Sequence, residues 1–479
     1  MRPNVLLPLI VACALFIENM DATVLATALP MIARDLAVEP IALKLALTSY
    51  LISLAVFIPV SGWVADRFGA RTTFATAIVV FMIGSLLCAI SRSLEAFVGA
   101  RFLQGLGGAM MVPVGRLVIL RSIPRNEIVR ALNTLTIPAL VGPVIGPPLG
   151  GLITTYVHWS WIFLINLPIG LLGVGLAIAR IPNLKEADVP RLDRIGFVLL
   201  GVGLAGTMLG LTTLWEHMLS VGWSVVCTVV GAAALTLYVR HARRVAYPLL
   251  DLDIFRLATF RAGVIGGAVF RVGMGAIPFL LPLMLQLGFG LTPLGSGLLT
   301  FASAVGALFM KTMSSRILRR WGFRAVLTVN SVIASLTIAS FAAFTVGTPH
   351  VVIVAVLLVG GCLRSLQFTS LNAISYADVA QREMSQATST ASVAQQLAAS
   401  FGVTVGAYIL QASSWIRDHG ALATPDFRVA FIVVGLLACA STLYFRRLSP
   451  EAGAELAGRV VANEPKLQQG EAAQPQTLV

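Results

Sequence analysis

Gly62-Trp63-Val64-Ala65-Asp66-Arg67-Phe68-Gly69-Ala70-Arg71 separates two long apolar runs centred near Leu54 and Val80. Its glycines permit a tight turn and close approach of the flanking segments, and its charges belong in water rather than hydrocarbon. The stretch therefore reads as a short polar loop joining two membrane-crossing helices. A second copy, Arg319-Arg320-Trp321-Gly322-Phe323-Arg324, follows at an offset of 253 residues. Six spans, two further spans and six more produce that spacing, so the repeat predicts two six-helix halves with a helix pair inserted near 195–240. The second copy lacks the acid, with Arg319 where Asp66 stands in the first.

Composition leads to the same class. Of 479 residues, 57% are hydrophobic and 11% charged, and the mean hydropathy is +0.88. Such a chain is too apolar to be soluble and long enough for many spans. Fourteen apolar stretches, centred near Ala14, Leu54, Val80, Ala109, Leu140, Leu171, Gly203, Val230, Met274, Val305, Ala334, Leu358, Ser400 and Leu437, each approach the ~20 residues a span needs. The first, about Val5 to Ile32, is too long for a signal-peptide core and contains acids, so it reads as a retained span. Assigned to alternating sides, twenty-two Lys and Arg fall on the side of the N-terminus, and only Arg34, Lys44, Arg92, Arg417 and Arg428 fall on the other. That bias places both termini in the cytoplasm. The net charge of +13 then reflects topology and contact with phospholipid, and no nucleic-acid partner is needed to explain it.

The expected organisation is a first six-helix half over 1–180, a linker with the two additional helices over 181–260, a second half over 261–448 and a disordered cytoplasmic tail over 449–479. Cys13, Cys88, Cys227, Cys362 and Cys439 all fall in apolar runs without CxxC spacing, and read as packing residues. The five histidines (His158, His217, His241, His350, His419) lie at span edges or in loops, and no HExxH occurs. No metal site, no cofactor and no enzymatic centre are expected. A GxxxxGK[ST] phosphate loop is also missing from the sequence, so energy for any transport would come from an ion gradient.

Glu18 and Asp21 are the two carboxylates inside the predicted spans, three residues apart in the first. Acids in hydrocarbon cost several kcal/mol unless they face water, find a partner or take up a proton. Their spacing puts both on one helix face, turned toward one cavity, where they can carry protons or bind a cation. Five cations also remain within spans: Arg101, Arg116, Arg271, Lys311 and Arg364. Arg271 lies 253 residues after Glu18, so the repeat would set the two on opposite walls of a central cavity. Gln104 and Gln286 either line that cavity or bond between helices, and Met20, Met274 and Phe279 either form its apolar wall or pack the bundle.

These stretches carry a family resemblance. The 62–71 loop resembles the signature loop between the second and third spans of the major facilitator superfamily. There, Gly62 and Gly69 would allow the turn while Asp66, Arg67 and Arg71 form ion pairs or meet helix termini at a cytoplasmic gate. Arg101-Phe102-Leu103-Gln104-Gly105-Leu106-Gly107-Gly108-Ala109 resembles the fourth-span motif, whose arginine is implicated in proton coupling. Gly142-Pro143-Val144-Ile145-Gly146-Pro147-Pro148-Leu149-Gly150-Gly151 resembles the fifth-span motif typical of antiporters, with glycines and prolines that permit close packing and bending. Trp159-Ser160-Trp161-Ile162-Phe163-Leu164-Ile165-Asn166-Leu167-Pro168-Ile169-Gly170 is similar to a stretch of the fourteen-span drug:proton antiporters. Ser61-Gly62-Trp63, the run Gly107 to Leu117, and Pro282 with Gln286 are similar to the bacterial multidrug resistance transporters of that family. Two departures stand out: Ala26 occupies a place where the family has asparagine, and Glu18 is not general to it.

The resemblance implies an all-α integral membrane protein of the major facilitator fold with fourteen transmembrane helices, in a bacterial cytoplasmic membrane, acting as a monomer. It implies an antiporter that exports small amphipathic compounds as protons enter. Asp21, Glu18 and Arg101 would couple protons, while Arg271, Arg364, Gln104, Met20 and Gln286 would line the substrate cavity. The 62–71 loop would latch the inner gate in the outward-open state. Expected partners are a small molecule, protons and the lipid bilayer. Two other readings stay open: the excess of cations suits an exporter of an anionic metabolite or metal-carboxylate complex, and a membrane sensor that transports nothing has the same sequence features.

Overall fold

The computed structural model describes residues 3–122, 128–186, 189, 191–214, 220–245, 248–380, 383–417, 422–454 and 456. Arg2, Arg125, Arg382, His217 and His419 lie outside the described residues, as does the tail apart from 449–454 and 456. No strand occurs among the described residues. This is what hydrocarbon requires, because a helix satisfies its backbone hydrogen bonds within one segment.

The first half comprises α1 (Pro3–Asp35), α2 (Lys44–Phe68), α3 (Ala70–Ile90), α4 (Leu94–Ser122), α5 (Ile128–Tyr156), the short α6 (Trp161–Leu164) and α7 (Asn166–Arg180). The inserted pair is α8 (Arg194–Thr213) and α9 (Val221–Ala242). The second half holds α10 (Ala258–Arg261), α11 (Gly267–Leu283), α12 (Pro293–Ser340), α13 (His350–Ser375), α14 (Met384–Ile416), α15 (Thr424–Ala440) and α16 (Thr442–Phe445). Among the described residues, twelve helices are long and apolar enough to cross a membrane, against the fourteen expected. Two elements account for the difference. One of the twelve, Pro293–Ala343, is a 51-residue run that turns back at Gly322, and the 29-residue α5 is not among them.

Both copies of the repeated loop break their helix in the same way. Gly69 has φ 98° and Gly322 has φ 76°, a left-handed backbone that a side chain disfavours. At the first break Ala70 N donates to Leu184 O at 2.9 Å, and a Cβ on Gly69 would run into Asn183. The loop therefore packs on the start of the linker that follows α7.

The core reveals how the halves meet. Helices α1 to α7 have one set of ends near the Gly69 break, here the basic end, and the other set near Asp35 and Lys44. At the basic end the first half has its own hydrophobic cluster, including Val11, Phe74, Phe81 and Val118, with no residue from the second half. Toward the opposite end one cluster runs through both halves, joining Leu29, Phe97 and Phe163 to Phe279, Leu285 and Phe427. Gln286 Nε2 donates to Thr27 O at 2.9 Å, and Leu294 N donates to Thr155 Oγ1 at 3.1 Å, both bonds crossing between halves. The two halves are thus closed together at the opposite end and separately packed at the basic end.

Two charged residues sit differently from the sequence expectation. Lys44, assigned to a loop, is fully buried at the start of α2, with its ammonium 4.3 Å from the ring centre of Tyr408 on α14. The aromatic face attracts the ammonium and helps it tolerate burial. Asp426 is a further buried carboxylate beyond Glu18 and Asp21: it pairs with Arg417 and accepts from Ala423 N, capping α15.

The inserted pair covers the seam between α2 and α14. Leu200, Leu204 and Tyr238 form a cluster with Ile52, Val56 and Val393. Thr212 and Thr404 share a hydrogen bond of 3.2 Å, and the Tyr408 hydroxyl donates to Leu211 O.

Candidate functional site

Asp21 lies in mid-helix on α1 and is 2% exposed. Its carboxylate faces the interior of the first half, where α3, α4 and α7 converge. Arg101 Nη1 donates to Oδ2 at 2.5 Å, and both side chains are 1% exposed. Gln104 Nε2 donates to Oδ1 at 2.9 Å, and Asn166 Nδ2 donates to the same oxygen at 3.2 Å. Ser85 Oγ accepts from both amides, at 2.8 and 3.3 Å, and Arg101 Nη1 also donates to Gln104 Oε1 at 2.5 Å. Arg101 and Gln104 are three apart on α4, so one helical turn delivers both to the same acid. The guanidinium lies over the ring of Tyr50, 4.4 Å from its centre. Charge-assisted bonds of this kind are about twice as strong as neutral ones, and removing one partner of a buried pair costs roughly 3–5 kcal/mol.

Glu18 stands one turn away but outside this network. It is half-buried, and its Oε2 has no hydrogen-bond partner among the described residues. The i, i+3 relation gives a common face, yet only Asp21 is engaged there by donors from α4 and α7. Arg271 is 8% exposed, donates from Nη2 to Asn372 Oδ1 at 3.0 Å and lies 5.3 Å from the ring centre of Phe368.

A cavity of about 370 Å³ lies between the halves, walled by α1, α5, α11, α12 and α13. Arg364 lines it, as do Met274 and Pro143. Of the other residues expected there, Met20 is 1% exposed in the shared core, Gln104 belongs to the Asp21 network and Gln286 holds the Thr27 carbonyl. Neither Arg271 nor these three is among its lining residues. Each is drawn away by a nearer partner: an amide, a carboxylate, a carbonyl or a tight helix contact.

The glycines of α5 explain that tight contact. A Cβ on Gly142 would come 3.0 Å from Phe16 O, one on Gly146 would overlap the Thr23 hydroxyl, and one on Gly150 would come 2.6 Å from Thr27 Oγ1. These three recur every four residues, so one bare stripe presses α5 onto the stretch of α1 that carries Asp21. Gly151 faces elsewhere, with Pro293 O only 2.5 Å from where its Cβ would be. In the 62–71 loop, Gly62 and Arg67 are exposed, Arg71 is partly buried, and Asp66 O accepts from Glu186 N at 3.2 Å.

Sequence reasoning did not assign Asn166, Ser85 or Tyr50 to the site. Asn166 was visible inside the quoted 159–170 stretch, and a polar amide at the start of an apolar run is a usable signal. Ser85 and Tyr50 had none, because small hydroxyls and tyrosines occur throughout such helices.

The chain matches the model of the Major Facilitator Superfamily over residues 11–402 and 263–476. It is 36% identical over 448 residues to MdtD of Klebsiella pneumoniae (strain 342), named as a multidrug resistance protein, covering 93% of this chain and 94% of that one. To MdtD of Escherichia coli (strain K12) it is 38% identical over 401 residues, or 84% of this chain and 85% of that one. Among solved structures it resembles a peptide transporter POT in complex with sulfate (TM-score 0.70, 13% identity, 93% and 95% coverage). It also resembles a D-xylose-proton symporter (TM-score 0.68, 16% identity, 93% and 98% coverage). The sequence match over most of its length and the two-halved helical fold together establish that this multi-pass membrane protein belongs to the major facilitator superfamily.

Proposed function

We propose that this chain is a proton-coupled antiporter that exports small amphipathic compounds across a bacterial cytoplasmic membrane by alternating access, working as a monomer with both termini cytoplasmic. The observation that carries the coupling role is the sealed Asp21 site, with one carboxylate, one guanidinium and two amides inside a single half. The relatives named for multidrug resistance support the class of cargo.

In this reading the described shape, closed at the end away from the basic loops, is the inward-facing state. Asp21 is then ionised and held by Arg101. Rocking of the halves opens the other face, and a proton arriving on Asp21 removes the charge that Arg101, Gln104 and Asn166 all address. A neutral acid holds those donors less firmly, so the packing of α1 against α4 and α7 differs between the two protonation states. Glu18, one turn before Asp21 on α1, serves as a secondary proton site nearer the basic end. The 62–71 loop latches that end when it closes.

The test is a proteoliposome assay with an imposed pH gradient. Asp21→Asn keeps the shape of the side chain but cannot ionise, and proton-driven efflux is expected to fall by more than about tenfold while energy-independent exchange persists. Wild-type efflux rates in Asp21→Asn would refute the assignment.

A further inference from the structure

The charge of the cavity between the halves is not explained by proton coupling. Its wall is mostly apolar, with Met274, Ile277, Leu281 and Phe341 contributed by the second half. Among the described residues that line it, the only charged ones are Lys311 and Arg364, and neither Glu18 nor Asp21 is present. Both cations stand where the first arm of α12 runs beside α13. Arg364 Nη2 donates to Ser303 Oγ at 3.1 Å, and Lys311 Nζ donates to Thr369 Oγ1 at 3.2 Å. Ser303, Ala307 and Lys311 repeat every four residues and so share one face of α12, with Ser365 Oγ bonded to Ala307 O at 2.8 Å between them.

A hydroxyl satisfies a donor but cancels no charge. Asp21 already has a cation of its own, Arg101. Arg271, the second half's other intramembrane arginine, leans on a neutral amide and an aromatic ring. The cavity thus keeps a partly buried Arg364 and an exposed Lys311, with no carboxylate paired to either among the described residues. Uncompensated charge beside an apolar wall is unfavourable, and an anionic group on the cargo relieves it.

We infer that the cavity takes amphipathic organic anions, with an aromatic or aliphatic body on the apolar wall and a single carboxylate or sulfonate held by Arg364, in the field of Lys311 two turns along α12, a step that rests on the export reading above. A cationic cargo would bring like charge onto both residues. A polyanion would strand its further charges against Met274 and Leu281.

Three naphthalene probes of nearly equal shape test this on the full-length protein in nanodiscs: naphthalene-2-sulfonate, 2-naphthyltrimethylammonium and the neutral naphthalene-2-sulfonamide, each titrated by calorimetry. The sulfonate is expected to bind at least about tenfold more tightly than the trimethylammonium compound. Arg364→Gln should erase that preference and Arg364→Lys should retain most of it, which separates lost charge from lost folding. Equal or tighter binding of the cation, or an unchanged preference in Arg364→Gln, overturns the inference. Proteoliposome efflux then separates the two readings. Proton-driven efflux of the cation with none of the sulfonate leaves the export reading standing and removes the anion inference. Arg364-dependent sulfonate binding with no efflux of any probe does the reverse.

Discussion

Asp21 shows how much one buried charge demands of its surroundings. Three side chains donate to its two oxygens, and each donor is itself buried. Asn166 completes the set from α7, and Asn166→Leu would leave Oδ1 with Gln104 alone. Loss of a hydrogen bond to a buried charged group is worth about 1.5–3 kcal/mol, so a lowered melting temperature in detergent is expected, with normal membrane insertion. Arg101→Lys keeps the charge but loses the planar group lying over Tyr50 and its fixed fork of donors. Proton-driven efflux in that variant should drop by about tenfold or more at unchanged expression, whereas a role limited to charge balance would leave it near wild type.

At the scale of elements, the α1–α5 contact ties the proton site to the boundary between halves. Gly142, Gly146 and Gly150 press onto the same stretch of α1 whose Ala22, Thr23 and Ala26 line the cavity. Gly146→Leu is expected to destabilise the fold by about 1–3 kcal/mol through overpacking and to suppress transport. Gly175→Ala is the matched control, since nothing lies within 4 Å of its would-be Cβ, and it should be neutral or slightly stabilising. Comparing thermal stability and efflux of the two variants checks whether the stripe acts through contact or through helix propensity. The π-helical turn Met284–Gly288 at the end of α11 is a second such device, for it carries Gln286 across to the Thr27 carbonyl. Extra-residue turns of this kind tend to sit at functional positions, here at the closed end.

The molecule as a whole is joined at one end and separate at the other, which is the form rocking requires. Thr155 and Leu294 meet across the closed end through the 3.1 Å bond between them. Thr155→Cys with Leu294→Cys should therefore form a disulfide that holds this end shut and stops turnover, with activity restored by reductant. The native cysteines are all free, so a background lacking them isolates the engineered pair. Full activity of the oxidised double variant would mean that this end does not open. The inferred anionic cargo has a consequence at the same scale. A proton moving inward and an anion moving outward both carry positive charge inward, whatever their ratio. Efflux should then accelerate under an inside-negative potential imposed with potassium and valinomycin at matched pH, and an indifferent rate would contradict it.

The sequence alone determined that this chain lies in a membrane, because about 20 consecutive apolar residues admit only a helix in hydrocarbon, and repeated runs of them admit only a bundle. It also determined the two-fold plan, since the Asp66–Arg71 loop and its copy at Arg319–Arg324 both need a glycine with positive φ, and that need is written in residue type. Asp21, Arg101 and Gln104 were legible for the same reason: charge and amide in a greasy helix are conspicuous. What only the tertiary structure decided was where each side chain points. Periodicity put Glu18 beside Asp21, but the neighbours supplied by α3, α4 and α7 bond only to Asp21 and leave Glu18 Oε2 without a partner among the described residues. Gln286, Met20 and Arg271 were candidates for the cavity wall, and their nearest partners took them elsewhere. The arrangement of Lys311 and Arg364 on one wall likewise depends on contacts between residues 61 and 58 apart in sequence, made where α12 and α13 run side by side at the register set by Ser303 and Thr369. Solvation is a property of single residues and can be read along the chain; pairing is a property of distance, which only the packed helices provide.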